Sequence, residues 1–547
     1  MTKTLAMDCS FLGRYGDLPS VFGFDIAVNG FVDALLRYST YDRFFFFYQP
    51  GQDIGSLSRS NLPVGADLQI QSINNLPTVI KTGDITTWFQ PDTETMPVNY
   101  RNAFTKRPFP FSTVIHNAFA PDIIRRQFLW LLLDGFTSCD SFICTSQSVR
   151  HAVQETLDYI TDEIKRGIGP TLTFRGRLDV LPIGVDTTFF TPQPKVLLRR
   201  ELGWPEDAFT ILWLGRFSAL DKADLLPALR TFRRLLQANP RKRLRFVLAG
   251  SDHKYSPFVP ALHAFVVSLG IAEHVLILDD ISQNTRNRLF AAADVFTSPS
   301  DNHQETFGIT PIEAMASGTP QVVSDWDGYK DSVLEGVTGY RIPTYWISCD
   351  SDEEADYGIG GRGYQGFLLS QSVAVDLPQY QAAIQKLIDD PDLLESMGVA
   401  SRKRALEVYS WKTVILSYER LWTELNSIAQ QLPSLDLPTL SFARGEVCRR
   451  FASYPTAMLT GHESISISED GCRLLSQDDP YPFHSPQEET LLKQDMRLSV
   501  LESVRAAPST FVDIAKRFAA GNNGQQSTVF RAIMWGIKHG LLQCTVV

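Results

Sequence analysis

The chain of 547 residues is poor in several things at once. It has seven cysteines, at Cys9, Cys139, Cys144, Cys349, Cys448, Cys472 and Cys544, with no CxxC pair among them. An odd, scattered set argues against a disulfide framework or a cysteine zinc site and for reduced thiols. Long apolar runs are missing as well. Residues 128–133 (FLWLLL) fall far short of the ~20 residues needed to span a bilayer. The opening MTKTLAMDCSFLG breaks its apolar run at Asp8 and has no signal-peptide core. Excess positive charge is absent: 51 Lys+Arg against 61 Asp+Glu leaves −10. A mildly acidic chain does not offer the clustered charge that nucleic-acid phosphates require, so nucleic acid is not an expected partner. No repeat of 20–50 residues is visible. The expectation is a cytoplasmic protein, with peripheral contact at a membrane left open.

What is present reads as globular: 44% of residues are hydrophobic and 20% charged. Short apolar or β-branched runs at 113–116, 141–145, 209–214, 244–249, 274–278, 295–298 and 321–324 read as strands. Amphipathic stretches at 223–238, 259–268, 285–293 and 311–316 read as helices between them. Strand–helix alternation predicts parallel sheets covered by helices, with ligands at the carboxyl ends of the strands. The Gly- and Pro-containing segment 181–194 (LPIGVDTTFFTPQP) divides two such halves, predicted at 1–195 and 196–432. A final helix is expected over 409–432, then a linker at 433–440 and a small domain at 441–547. The acidic, Gly-rich stretch 345–365 is expected to be a solvated loop.

Two segments carry chemistry. In LWLGRFSALDKAD (212–224) a strand is expected to end at Leu214, followed by Gly215, Arg216 and, at the mouth of the next helix, Lys222. Glycine permits a tight turn, and the two cations suit phosphate oxygens. Taken alone, the pattern is better explained by two solvated basic residues in a loop. In DNHQETFGITPIEAMASGTPQVVSD (301–325), Glu305 precedes a glycine turn and Glu313 follows eight residues later, on a helix expected to start near Pro311. A turn through Phe307, Gly308, Ile309 and Thr310 directly before a helix exposes backbone N–H groups that can hold a diphosphate. A carboxylate before the turn can accept from sugar hydroxyls, and one within the helix from a ribose diol.

The Glu305…Glu313 segment resembles the E-x7-E signature of retaining GT-B glycosyltransferases of the family 4 type. GRFSALDKAD resembles that family's phosphate loop, AAADVFTSPS (291–300) its strand before the donor loop, IGVDTTFFTP its inter-domain turn, and YSW (409–411) the start of its final crossover helix. The likeness covers roughly residues 1–430, and is specific in the second half and diffuse in the first. It implies a GT-B fold of two Rossmann-like domains facing a cleft, a nucleotide-sugar donor and no cofactor or metal. The implied roles are diphosphate binding for Arg216 and Lys222 with Gly215, donor-sugar binding for Glu305, ribose binding for Glu313, and phosphate contact for the Phe307–Thr310 backbone. His116, in STVIHNAFAP, resembles the family's active-site histidine, although a lone histidine after an apolar strand is commonly structural. Gly23 resembles the remnant of its glycine loop. The sequence departs from the pattern at Phe22, Ala223 and Ile183, where glycine, glycine and asparagine are usual. Retention without a second carboxylate implies front-face displacement. The acceptor is left open among glycan, lipid, protein and small molecule. For His303, in the donor loop, a structural role is the expectation.

The tail lies outside the resemblance. SISISEDGCRLL (464–475) reads as strand–turn–strand around Glu469-Asp470-Gly471. Segments 497–507, 509–520 and 527–542 read as helices and the end as a strand, together winged-helix-like. The expectation is a module that binds a protein partner or docks the acceptor; Arg497, Arg505, Lys516, Arg517, Arg531 and Lys538 leave a nucleic-acid-binding tail as a further reading, against that of a solvated basic face. The competing reading for the whole chain is a catalytically silent GT-B-like scaffold acting through this tail.

Overall fold

The computed structural model describes residues 2–9, 23–49, 62–63, 65–91, 95–118, 127–133, 135–169, 171–252, 257–347, 349, 362–434, 453, 456, 458–482, 489, 492–518 and 523–545. The chain divides into two compact units, Met1–Thr439 and Leu440–Val547.

In the larger unit, β1 (Thr4–Asp8), β2 (Arg43–Tyr48), β3 (Asp67–Ser72), β4 (Thr87–Gln90), β5 (Phe111–Ile115), β6 (Ser141–Cys144) and β7 (Arg177–Val180) form one sheet in the order β3-β2-β1-β4-β5-β6-β7. Every pairing in it is parallel. Strand β2, RFFFFY, buries all four phenylalanines, as a strand covered on both faces must. A second sheet holds β8 (Phe209–Phe217), β9 (Leu244–Asp252), β10 (Val275–Asp279), β11 (Val295–Ser298), β12 (Gln321–Ser324) and β13 (Gly339–Ile342) in the order β10-β9-β8-β11-β12-β13, again all parallel. Each sheet reverses strand order beside its first strand, and such switch points are where open α/β sheets bind ligands.

Two expectations need correction here. Strand β8 does not stop at Leu214 but runs on to Phe217, because Gly215, Arg216 and Phe217 pair with Gly250, Ser251 and Asp252. The stretch 345–365 is not wholly loop: β14 (Thr344–Trp346) pairs antiparallel with β15 (Val373–Val375), and helix Arg362–Ser370 begins inside it. Its acidic run lies outside the described residues.

The last helix of this unit, Trp411–Gln431, is capped by Ser410, whose hydroxyl accepts from the Thr413 N–H. Its apolar stripe, Val414, Ile415, Tyr418, Leu421, Trp422 and Leu425, packs with Val28, Phe31, Leu35 and Phe89 of the first half. Buried Glu419 accepts from Ser39 Oγ at 2.6 Å and from the Thr40 N–H at 2.7 Å. The helix therefore belongs by packing to the first half, although it follows the second in sequence. Both chain crossings between the halves meet at one place: the Val185 N–H donates to the Tyr409 carbonyl at 2.8 Å, and the Trp411 N–H to the Val185 carbonyl at 3.3 Å. A Cβ at Gly184 would stand 2.3 Å from the Trp411 ring, so only glycine fits there.

In the smaller unit β16 (Ser464–Ile467) lies between β17 (Ser509–Thr510) and β18 (Leu542–Thr545), both antiparallel to it. Helices Gln494–Ser503, Phe511–Phe518 and Asn523–Lys538 supply Val500, Leu501, Phe511, Ile514, Val529 and Ile533 to a core of its own. The unit thus joins a three-stranded antiparallel sheet to helices around one core. The expected second strand after Glu469-Asp470-Gly471 is instead helix Glu469–Leu475. Ser468 caps it, and two acids in its first turn suit the positive end. Gly471 is needed for packing rather than turning: a Cβ there would lie 2.2 Å from the Leu541 carbonyl.

Candidate functional site

The site is built at the carboxyl ends of β8 and β11. Beyond β8, the loop folds back so that the Lys222 N–H donates to the Ser218 carbonyl at 3.1 Å. The Lys222 stem then passes over Gly215, where a Cβ would come within 3.2 Å of its Cε. The Lys222 ammonium is ion-paired with Glu305 Oε2. Arg216 pairs with Asp221 at 2.8 Å. Asn302, buried in the loop after β11, donates to the carbonyls of Leu220 at 3.0 Å and Gly366 at 3.2 Å, which stitches the two loops together.

Gly308 has a φ of 82° and opens helix Ile309–Ala316, two residues earlier than expected. Pro311 is accommodated in its first turn, where a missing N–H costs nothing. No side chain caps this helix. The Thr310 hydroxyl is buried and has no hydrogen-bond partner among the described residues. Glu313, only 2% exposed, is bound by Arg286, whose Nε donates to Oε2 at 3.0 Å and whose Nη2 reaches the same oxygen. Burial raises the Glu313 carboxyl above its ordinary range, while Arg286 and then Lys222 pull it back.

The Tyr329 side chain, fully buried, donates to Glu305 Oε2 at 3.1 Å and shares a 2.8 Å bond with Ser298 Oγ. Burial first and the Glu305 charge second push its phenol well above the usual value. Asp327 is raised to about 8, chiefly by burial, with a hydrogen bond from Ser146 opposing and the charges of Glu305 and Asp331 adding.

His116 is placed beside this loop by its backbone: Thr306 Oγ1 donates to the His116 carbonyl at 3.1 Å. Its Nε2 lies 2.7 Å from the Pro91 carbonyl, which can only accept, so Nε2 carries the proton. Burial lowers this histidine to about 4, and it is neutral at physiological pH. Gly23 is the first residue of helix Gly23–Tyr38, and the segment before it, 10–22, lies outside the described residues. The His303 ring lies edge-on between Trp326 and Trp346, with centroids 5.1 and 5.0 Å away.

The structure thus joins Lys222 to Glu305 directly and brings Gly308 and Glu313 onto the same helix entry. Sequence reasoning did not find Arg286, Tyr329, Asn302 or Asp327. Their partners lie 24 or more residues away or on backbone carbonyls, and no short motif signals such pairs. Among the described residues there is no group of three or more His, Cys, Asp or Glu able to hold a metal ion, and no helix long and apolar enough to cross a membrane.

Residues 208–354 match the protein family described as glycosyl transferases group 1. The D-inositol 3-phosphate glycosyltransferase of Stackebrandtia nassauensis is 37% identical over 169 residues, 30% of this chain and 37% of that protein. The enzyme of the same name from Thermobispora bispora is 27% identical over 251 residues, 45% of this chain and 50% of that protein. The chain thus matches half or less of the length of these relatives. Among solved structures, sucrose-phosphate synthase from Thermosynechococcus elongatus superposes with a TM-score of 0.51 at 16% identity, covering 78% of this chain and all of that one. Anabaena HepE in complex with UDP gives 0.51 at 16% identity, covering 77% of this chain and all of that one. The larger unit has the GT-B fold, and the stretch similar to glycosyl transferases group 1 lies in its second half.

Proposed function

We propose that the chain is a retaining glycosyltransferase that moves a sugar from a nucleoside diphosphate to an acceptor by front-face displacement. One observation carries this reading: the uncapped entry of helix Ile309–Ala316, with the unpartnered Thr310 hydroxyl inside it, between the Lys222–Glu305 pair and buried Glu313. A diphosphate at that entry meets helix N–H groups, Thr310 and Lys222, with Arg216 beside it. Charge grows on this diphosphate as the sugar leaves, and preorganised donors there lower the barrier most. Glu305 accepts from the donor sugar and Glu313 from the ribose. The leaving diphosphate takes the acceptor proton. His116 serves through its carbonyl, which holds Thr306, and through a neutral, partly buried ring on the acceptor side. This chemistry calls for no cofactor. The winged-helix-like unit binds the acceptor or a protein partner.

The test is a thermal-shift screen with UDP-, GDP- and ADP-glucose, followed by an assay of sugar release for whichever binds. Ligands that favour the folded state raise its melting temperature. Stabilisation by one donor, abolished in Glu313→Ala, supports the proposal. No shift with any donor refutes it.

A further inference from the structure

We propose that Arg286 is a positioning residue for the nucleotide: it occupies Glu313 Oε2 so that Oε1 is the oxygen left for the ribose hydroxyls, and it thereby sets discrimination for an intact ribose. This rests on the nucleotide-sugar reading above. Arg286 sits one turn into helix Gln283–Ala292, whose entry is fixed by Ser282 accepting from the Thr285 N–H at 3.2 Å. That helix follows β10, so the residue stands at the same ligand edge of the sheet as the entry of helix Ile309–Ala316. Among the described residues the Arg286 side chain donates to Glu313 alone, with Nε and Nη2 converging on one oxygen. A pair built only to hold two helices together would use both carboxylate oxygens in a fork, the strongest geometry available. Here one oxygen is spent and the other is not.

The burial of Glu313 makes the arrangement matter. Every residue from Thr310 to Ala316 is buried, and a carboxyl there is driven towards its neutral form. A protonated carboxyl accepts less well from two hydroxyls than a carboxylate does. The charges facing it are few. Arg286 comes from helix Gln283–Ala292 and Lys222 from the loop after β8. Tyr329 lies at the entry of its own helix, against Gly308. Arg402 reaches only the far end, at the Ala316 carbonyl. Lys222 is already ion-paired with Glu305, which leaves Arg286 as the principal counter-charge.

The experiment is calorimetric titration of the full chain with UDP, GDP and ADP from pH 5 to 9, repeated with the 2′-deoxy form of whichever binds. Wild type, Arg286→Met and Arg286→Lys are compared. Stoichiometry counts folded sites, so partial unfolding changes it and leaves the measured affinity intact. In Arg286→Met the pH below which affinity falls should rise, with roughly tenfold loss per unit below it, the signature of one carboxyl taking up a proton. Its preference for the ribo- over the 2′-deoxynucleotide should shrink. Arg286→Lys should restore the wild-type pH midpoint. An unchanged pH profile with unchanged discrimination in Arg286→Met overturns the assignment, as does an Arg286→Lys profile matching Arg286→Met. Failure of wild type to bind all three nucleotides overturns the donor reading and this inference with it.

Discussion

Tyr329 and Glu305 are bonded, hydroxyl to carboxylate, at 3.1 Å, while the same tyrosine ring fills the space that a side chain at Gly308 would need. One residue thus links the carboxylate proposed to hold the sugar with the turn proposed to hold the diphosphate.

Tyr329→Phe keeps the ring on Gly308 and removes the hydroxyl. The bonds to Glu305 and Ser298 are lost together, which should cost about 1–2 kcal/mol of stability. Turnover should fall while nucleotide affinity holds. Urea unfolding and steady-state kinetics check the two parts, and weakened nucleotide binding with unchanged turnover would contradict the link to Glu305.

Gly308→Ala meets two obstacles. A φ of 82° suits glycine, and a Cβ would fall 2.1 Å from Tyr329 Cε1. Strain of this kind costs on the order of 1–3 kcal/mol. The variant should melt lower and lose nucleotide affinity, as read by thermal unfolding with and without nucleotide.

For the cations, Arg216→Ala and Lys222→Ala should each cost about 2–4 kcal/mol in kcat/KM, the usual loss when a charge-stabilising donor is removed. Glu313→Ala should act mainly on nucleotide binding and Glu305→Ala mainly on turnover. Variants that retain the original rates would leave Arg216 and Lys222 as surface charges only.

Ser146 Oγ, from the first half, donates to Asp327 Oδ1, from the second, at 2.7 Å. With its carboxyl raised to about 8, Asp327 holds a proton in the folded chain that it releases near pH 4 when unfolded. A raised acid stabilises the fold below the unfolded value and loses that contribution as pH climbs through the folded one. Between pH 4 and 8 wild-type stability from this group should therefore decline. Asp327→Asn should flatten the decline, measured as urea midpoints at pH 5 and 9. Equal slopes for both proteins would remove Asp327 from the account.

Removal of residues 441–547 should spare donor binding and impair acceptor use, because that unit has its own core and the residues proposed to bind the donor all precede it. Nucleotide titration of the truncated chain is the check, and lost affinity would make the tail part of the donor-binding fold.

The second half was legible in the sequence because its strands are short apolar runs punctuated by Gly, Pro and Asp, so that β11 and β12 could be bounded to the residue. Lys222 and Glu305 could be named because each follows a strand end in a recognisable loop. Arg286 could not: it is a polar residue in a polar helix, and its meaning depends on a partner 27 positions on. Ser468–Leu475 misled for a local reason, since Glu-Asp-Gly suits a turn as well as a capped helix start, and only the approach of the Leu541 carbonyl to Gly471 explains the glycine. The amphipathic pattern of the last helix records that a face is buried and not against what, so only the resemblance of YSW to the start of a crossover helix hinted that it returns to the first half.

The meeting of both chain crossings at Val185 has a mechanical consequence. Two bodies tethered by one strand can tumble freely, whereas two strands bonded to each other at a single spot leave chiefly rotation about that line. Trp411, pressed against Gly184 and Gly30, is the bearing of that pivot. Rotation about that line would part the halves as the covers of a book part, away from the spine, and it would have to break the Ser146–Asp327 and Thr306–His116 bonds that also join them. In the sugar transfer proposed above, donor, acceptor and product would all use the side away from that spine, so departure of the spent nucleotide and arrival of the next would share a gate and take turns.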